Sequence, residues 1–541
     1  IFMKTVINNQ ATRYICPLTK QLMKRMLLCA WVLVAITTTT SAQMSSTAID
    51  SLAEKVRVTF DVPGIAVAVI KDDKIIHAKG YGVRSLAGTD KVNENTLFGI
   101  ASNSKAFTAA ALGMLIDEGK LHWDDKVTQY IPEFKLYDPY VTNEFTIRDL
   151  LTHRSGMGLG AGDLMMFPDS NNFTRKDIIH NLRYLKPVSS FRSKYDYDNN
   201  LYIVAGEIIG IVSEMSWESF IEQRIMQPLN MSLSKASIGR VKDRSNIIVP
   251  HAPVNGKVQP IKIDWSETAN AAGGIQSNLT DLAKWIIMQM NHGKYGDSLQ
   301  KTLFSKKVHE EMWAPQTLMP VFTAPPYNTH FGAYGLGWVL NDVKGYQQVS
   351  HTGGLAGVVT QVTLLPELKL GIIVLTNQQS GAAFVSVTNT IKDSYLGITG
   401  MDRVKQMHDR VIRNETEAKK ITDSIWNVIA AQQKNNQGRI NLSDFTGTYT
   451  DKWFGDVLIS IKNGKAWFDS KRSPKLSGEM LFYKGNTFVV KWNDRSMDAD
   501  AYVQFSLDKE GRADGIKMNA ISPLTDFSFD FQDLEFVRIA K

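Results

Sequence analysis

Cysteine is nearly missing from this chain. There are two, Cys16 and Cys29, in 541 residues, and both fall before Ala42. Whatever follows has neither a disulfide framework nor thiol chemistry. Long apolar runs are missing too: the one at residues 26–36 is too short to span a bilayer comfortably. No repeat of fixed period is present, which argues against solenoids and propellers. No Gly-x-x-x-x-Gly-Lys-Ser/Thr phosphate loop occurs, and His309-Glu310-Glu311 lacks the second histidine of the helical zinc motif. Neither a metal nor an organic cofactor is therefore expected.

The basic balance, +7 with a pI near 9.0, is set by the N-terminus. Residues 1–42 carry Lys4, Arg13, Lys20, Lys24 and Arg25 and no acid, so their loss takes the charge to +2. A near-neutral remainder lacks the electrostatic footprint of a nucleic-acid binder. Lys24-Arg25, the apolar run and the small residues Thr40-Ser41-Ala42 form a secretory signal peptide at 23–42. Met23 is the expected start, with residues 1–22 upstream of it. Cleavage near Ala42 predicts an exported protein, periplasmic or secreted, with no membrane span in the mature chain.

With 43% apolar and 21% charged residues, the rest can bury a sizeable core. Two strand-like runs flank Asp72-Asp73-Lys74, a hairpin signal. Apolar helices follow, at residues 105–116, 202–213, 216–231 and 278–290, the last with Asn278 or Thr280 as N-cap. Strand text returns in "YGLGWVL", "QQVSHTGG" and "VVTQVTLLPELKLGIIVLTN", with "PELK" as a turn. Strands at both ends with helices between predict one α+β domain whose sheet joins distant segments. Near Gly400 the text becomes charged and helical. From Asn441 it turns to short strands, and Phe527, Phe529 and Phe531 alternate with polar residues like a half-buried strand. The expected organisation is a leader at 1–42, an α+β domain at 43–398, a helical linker at 399–439 and a small all-β barrel at 440–541.

Chemistry enters with "FGIASNSKAFTAAALGMLIDEGKL", where Ser102 stands three residues before Lys105. Ser-x-x-Lys also occurs at Ser232, Ser298 and Ser506, but only Ser102 opens an apolar helix. Residues i and i+3 share a helix face, and the helix N-terminus offers free N–H groups to a developing anion. A serine nucleophile needs a base. Burial disfavours an ammonium and makes a neutral lysine available. The same residues also suit an N-cap serine with a lysine snorkelling to solvent. "YDYDNNLY" places Tyr197 and Asn199 before a helix, and "VSHTGGLAGVV" is a small-residue strand able to pair with an extended substrate. Each alone is ordinary; in this order they are specific.

Together with "TIRDLLTHRSGM", "AAGGIQSNLTDLAKW" and "YGLGW", these motifs resemble the serine β-lactamase and penicillin-binding protein superfamily. The closest likeness is to its class C β-lactamase-like branch of peptidases and esterases, over residues 51–398. The resemblance implies Ser102 as acyl-forming nucleophile, Lys105 as its base and Tyr197 as a second relay. It implies Asn199, His351, Thr352 and Gly353 as substrate-binding residues, and the N–H groups of Ser102 and Gly354 as the oxyanion hole. It implies structure more than catalysis for His153. The tail resembles the lipocalin-like barrel appended to some members. His351 stands where true β-lactamases carry lysine, so β-lactam hydrolysis is expected to be weak, with a histidine limb at about pH 6–7 in catalysis. The substrates implied are D-amino-acid peptides, cell-wall-type peptides or small esters. A sensor acylated without turnover is the alternative, and no oligomeric state is implied.

Overall fold

The hairpin about Asp72-Asp73 forms as expected, with both aspartates at positive φ. It joins β1 (Gly64–Lys71) to β2 (Lys74–Gly82). The computed structural model describes residues 43–262, 266–435 and 441–539. The leader, its signal peptide and both cysteines lie outside the described residues. Six strands from the far end of the α+β region complete the sheet: β3 (Thr317–Leu318), β4 (Gly332–Tyr334), β5 (Val339–Val343), β6 (Tyr346–Leu355), β7 (Val358–Leu365) and β8 (Leu370–Thr376). Their order is β2-β1-β8-β7-β6-β5-β4-β3, antiparallel throughout. The turn at Pro366–Leu368 links β7 to β8.

Strands β1 and β8 are apolar at almost every position because both sheet faces are covered. Ala66, Ala68 and Ile70 face one cluster with helices α2 (Ser104–Asp117) and α4 (Leu279–Met290), while Ile65, Val67 and Val69 face another with α1 (Ser46–Thr59) and α5 (Gly381–Tyr395). Helix α3 (Asn200–Ser213) packs on α2. Asn278, rather than Thr280, caps α4 by accepting the Asp281 N–H. Helix α2 has no polar stripe because it is buried from Ser104 to Leu115.

The charged stretch is a 33-residue helix, α6 (Arg403–Asn435). It packs on α5, and its Ile425 and Ile429 meet Val489 and Ile521. The tail is a closed eight-stranded antiparallel barrel: β9 (Gly447–Asp451), β10 (Gly455–Lys462), β11 (Lys465–Ser470), β12 (Ser477–Lys484), β13 (Thr487–Trp492), β14 (Ala501–Leu507), β15 (Ala513–Ala520) and β16 (Phe536–Arg538). Closure comes from β16 pairing with both β9 and β15, which removes free edges. Inward side chains such as Val457, Phe468, Phe488, Phe505 and Phe536 are buried.

Residues 527–531 are not a strand. They belong to the long loop between β15 and β16, ending in the turn Phe531–Asp533. The alternation misleads because Ser528 and Asp530 do not face solvent: both are buried and bond to the α+β region.

One hydrophobic cluster runs through both regions, and the described residues from Met44 onward form one compact unit. At the junction the Phe173 and Phe454 rings lie 6.1 Å apart, and the Asn181 side-chain N–H donates to the Trp453 carbonyl at 2.7 Å. No helix among the described residues is long and apolar enough to cross a membrane.

Candidate active site

Ser102 lies on a single 3₁₀ turn, Ala101–Asn103, that runs straight into α2. Ala101 has φ of 50°, a left-handed value uncommon outside glycine. The turn is over-determined: the Ile100 N–H donates to Ile275 O at 2.9 Å, and the Thr360 hydroxyl donates to Ile100 O at 3.0 Å and accepts from Asn103 at 2.9 Å.

Lys105 is wholly buried, which excludes a snorkelling lysine. Its Nζ lies 3.0 Å from Ser102 Oγ, 2.7 Å from Asn199 Oδ1 and 2.9 Å from Ala272 O. Burial brings its pKa down to about 7, opposed by the charges of Asp163 and Asp198. A carbonyl oxygen can only accept. Once neutral, Lys105 gives its two N–H groups to Asn199 and Ala272, and its lone pair is left facing the Ser102 hydroxyl.

Tyr197 completes the group. Its hydroxyl lies beside that of Ser102, which favours the phenolate, but burial outweighs this and pushes the phenol well above the ordinary range. It therefore acts as a neutral hydroxyl, able to accept one proton while passing on another. Its ring centroid lies 4.8 Å from Lys105 Nζ and 4.1 Å from the ring of His153. His153 Nδ1 accepts the Asp198 N–H at 3.0 Å, and burial holds this imidazole neutral. It buttresses Tyr197.

Asn199 receives Lys105 on its oxygen and donates from Nδ2 to Asp163 Oδ2 at 2.8 Å. One amide hydrogen remains for the cavity that the residue also lines.

Strand β6 brings His351, Thr352, Gly353 and Gly354 to the same cavity. A Cβ on Gly353 would sit 2.3 Å from Ile100 O and 2.9 Å from the Ala101 Cβ, so glycine lets the strand lie against the serine turn. A Cβ on Gly354 would meet nothing within 4 Å. His351 is buried, and desolvation, with Lys105 beside it, lowers its pKa to about 3. Its Nδ1 donates to the Thr352 carbonyl at 2.6 Å, which leaves Nε2 to accept the Tyr334 hydroxyl at 2.9 Å. The expected histidine limb at about pH 6–7 is therefore overturned: His351 stays neutral there.

The other Ser-x-x-Lys serines, Ser232, Ser298 and Ser506, are exposed. Among the described residues, no cluster of His, Cys, Asp and Glu is arranged to hold a metal.

The cavity measures about 680 Å³. Apolar groups from both regions line it, among them Leu159, Phe384, Leu355, Met497, Leu524 and Phe527. The Phe527 ring lies 5.9 Å from that of Tyr197. In the sequence Phe527 and Phe529 were read only as strand residues, and Met497, Leu524 and Asp163 did not stand out. The available signal was the pair Ser528 and Asp530 between phenylalanines, polar groups in a setting that buries them.

Known proteins agree with this geometry. Residues 49–396 match the model of the β-lactamase family, and residues 431–538 match a domain of unknown function, DUF3471. An unguisins hydrolase of Aspergillus violaceofuscus is 30% identical over 361 residues, and protein flp of Staphylococcus aureus is 26% identical over 321. The alignments cover 63% and 59% of this chain and 63% and 60% of those relatives' own lengths. An octameric penicillin-binding protein homologue from Pyrococcus abyssi superposes with a TM-score of 0.59 at 21% identity, covering 91% of this chain and 99% of that one. A class C β-lactamase superposes with a TM-score of 0.53 at 20% identity, over 65% of this chain and 96% of that one. These neighbours share the fold, and the family match spans most of the chain. With Ser102 on its turn and Lys105 buried beneath it, the chain belongs to the β-lactamase family.

Proposed function

We propose that this member of the β-lactamase family is a serine hydrolase that cleaves amide or ester bonds through an acyl-enzyme on Ser102. The observation that carries the reading is the lone pair of Lys105, aimed at Ser102 Oγ by two carbonyl acceptors. Lys105 takes the serine proton as Oγ attacks the carbonyl carbon. The oxyanion gathers on the N–H groups of Ser102 and Gly354, which stabilise charge that develops only in the transition state. Tyr197 relays the proton to the leaving group. Water then attacks the ester and frees Ser102.

Strand β5 pairs with β6 only from Tyr346 to Ser350, and the free edge beyond it suits an extended acyl donor pairing with the strand. The apolar lining from Leu355, Phe384, Met497 and Phe527 favours a hydrophobic group beside the scissile bond. D-amino-acid peptides, cell-wall-type peptides and small esters fit this description. Neutral His351 gives no cation for a substrate carboxylate, which argues for weak β-lactam turnover. The name of the Aspergillus relative supports hydrolysis as the reaction class.

A fluorophosphonate probe and a p-nitrophenyl ester test the reading. Ser102→Ala should lose labelling and turnover, while alanine at Ser232, Ser298 or Ser506 should lose neither. Labelling that persists in Ser102→Ala refutes the assignment. Labelling of Ser102 by penicillin without turnover of any ester or peptide would favour the sensor.

A further inference from the structure

The Asn199 side chain must point one way for Lys105 to work. Its amide is nearly symmetric in shape, so packing does not choose between the two orientations; polar partners do. Flipped, it would set N–H against the N–H groups of Lys105. What prevents this is Asp163, whose Oδ2 accepts from Asn199 Nδ2 at 2.8 Å.

Asp163 is held in turn by the barrel. The Ser528 hydroxyl donates to the same Oδ2 at 3.0 Å. Asp530 accepts the Gly162 N–H at 2.6 Å and the Leu164 N–H at 3.0 Å, fixing the backbone on either side of Asp163. All three side chains are buried. The Phe527 carbonyl lies against Gly160, where φ is 72° and a Cβ would come within 2.7 Å of that oxygen. The loop is braced internally, since Asp526 accepts the Ser528 N–H at 2.9 Å and its carbonyl accepts the Phe529 N–H at 3.0 Å. A continuous hydrogen-bonded path thus runs from the barrel to the base: Ser528, Asp163, Asn199, Lys105.

We infer that the barrel loop 526–530 is a positioning element of the hydrolytic site: through Ser528, Asp530 and Asp163 it sets the Asn199 amide and so aims Lys105 at Ser102. The inference rests on the proposed role of Lys105. It makes the barrel part of the catalytic apparatus, with the loop acting in cis. Asp163 and Ser528 touch no reacting atom and act through Asn199. Burial pushes the Asp163 carboxyl well above the usual range. An asparagine at 163 keeps an oxygen facing Asn199 and Ser528 and puts an amide group where Oδ1 has no protein partner.

The test uses the full chain with Ser528→Ala, Asp163→Leu and Asp163→Asn. It measures kcat and KM on a small neutral ester, the fluorophosphonate labelling rate and thermal melting. Misplacing a base by a fraction of an ångström to an ångström costs up to about 100-fold. Asp163→Leu should lose about that in kcat and in labelling rate, with KM little changed. Ser528→Ala should lose about tenfold, and Asp163→Asn should recover most of the parent rate. Parental rates in both Ser528→Ala and Asp163→Leu overturn the inference, as does Asp163→Asn remaining as slow as Asp163→Leu. If Asp163→Leu does not fold, the Ser528→Ala rate decides alone. Labelling of the parent at a residue other than Ser102 would instead defeat the proposed function, so the two failures are distinguishable.

Discussion

Replacing Lys105 with methionine should inactivate the enzyme and stabilise the fold, and the stability gain should depend on pH in a defined way. In the unfolded chain Lys105 titrates near its ordinary 10.5, and in the folded chain near 7. Between those values the unfolded state binds a proton that the folded state lacks, so parent stability rises with pH across that window. Below pH 7 both states are protonated and the burial cost is fully present; above 10.5 neither is. Each tenfold loss of proton affinity on folding costs about 1.4 kcal/mol, so the cost at pH 6 is on the order of 5 kcal/mol. Lys105→Met carries no such cost. From pH 7 to 9 its stability advantage should shrink by about 3 kcal/mol, roughly 3 °C for a chain of this size. Below pH 7 the advantage should be constant. Melting curves of both proteins at matched ionic strength give the difference directly. In parallel, parent kcat/KM should fall about tenfold per pH unit below pH 7 as the amine is lost, and the variant should lose about 10²–10⁴-fold in rate. A melting difference independent of pH, together with a flat parent rate from pH 5 to 8, would refute the buried neutral lysine.

The adjacent glycines of β6 should respond oppositely. Gly353→Ala puts a methyl against Ile100 O, costing about 1–3 kcal/mol and displacing the serine turn, read as a lower melting temperature and lost labelling. Gly354→Ala meets open space and should melt with the parent. At His351, lysine adds a cation beside Lys105, which lowers the pKa of Lys105 further. The acid limb of kcat/KM on a neutral ester should then move below pH 7, and nitrocefin turnover should rise; an unmoved limb would place residue 351 outside the electrostatics of the site.

Much of the sheet and the serine turn was legible because each rests on a local contradiction or period. A lysine in a helix apolar on every side has few outcomes, and burial against Asn199 and Ala272 is the one that makes it a base. Strands β1 and β8 read correctly because nearly unbroken apolar text has few uses other than a sheet covered on both faces. The sequence missed what depends on distant partners. Tyr334 reaches His351 from β4, two strands away across the sheet, and nothing near residue 351 announces it, so a titrating histidine was expected where a neutral one stands. Phe527, Phe529 and Phe531 alternate with polar residues as a strand would. There the polar residues are buried against Asp163 and the N–H groups of Gly162 and Leu164, and no periodicity distinguishes that from solvent.

The contacts of Lys105 serve both of its protonation states. As an ammonium it has three N–H groups for three acceptors: Asn199 Oδ1, Ala272 O and Ser102 Oγ. As an amine it keeps the first two bonds and turns its lone pair to the third. A proton can pass from Oγ to Nζ along one 3.0 Å hydrogen bond without any heavy atom moving, so no reorganisation is added to the barrier. The ammonium is disfavoured by desolvation, and the acids Asp163 and Asp198 offset part of that penalty. A pKa of about 7 is the balance of the two effects. Fewer acids nearby would lower that pKa further, and a wetter site would leave the amine permanently charged. The Asn199 amide joins the two controls: its oxygen fixes where Nζ points, and its nitrogen ties that direction to the carboxyl of Asp163.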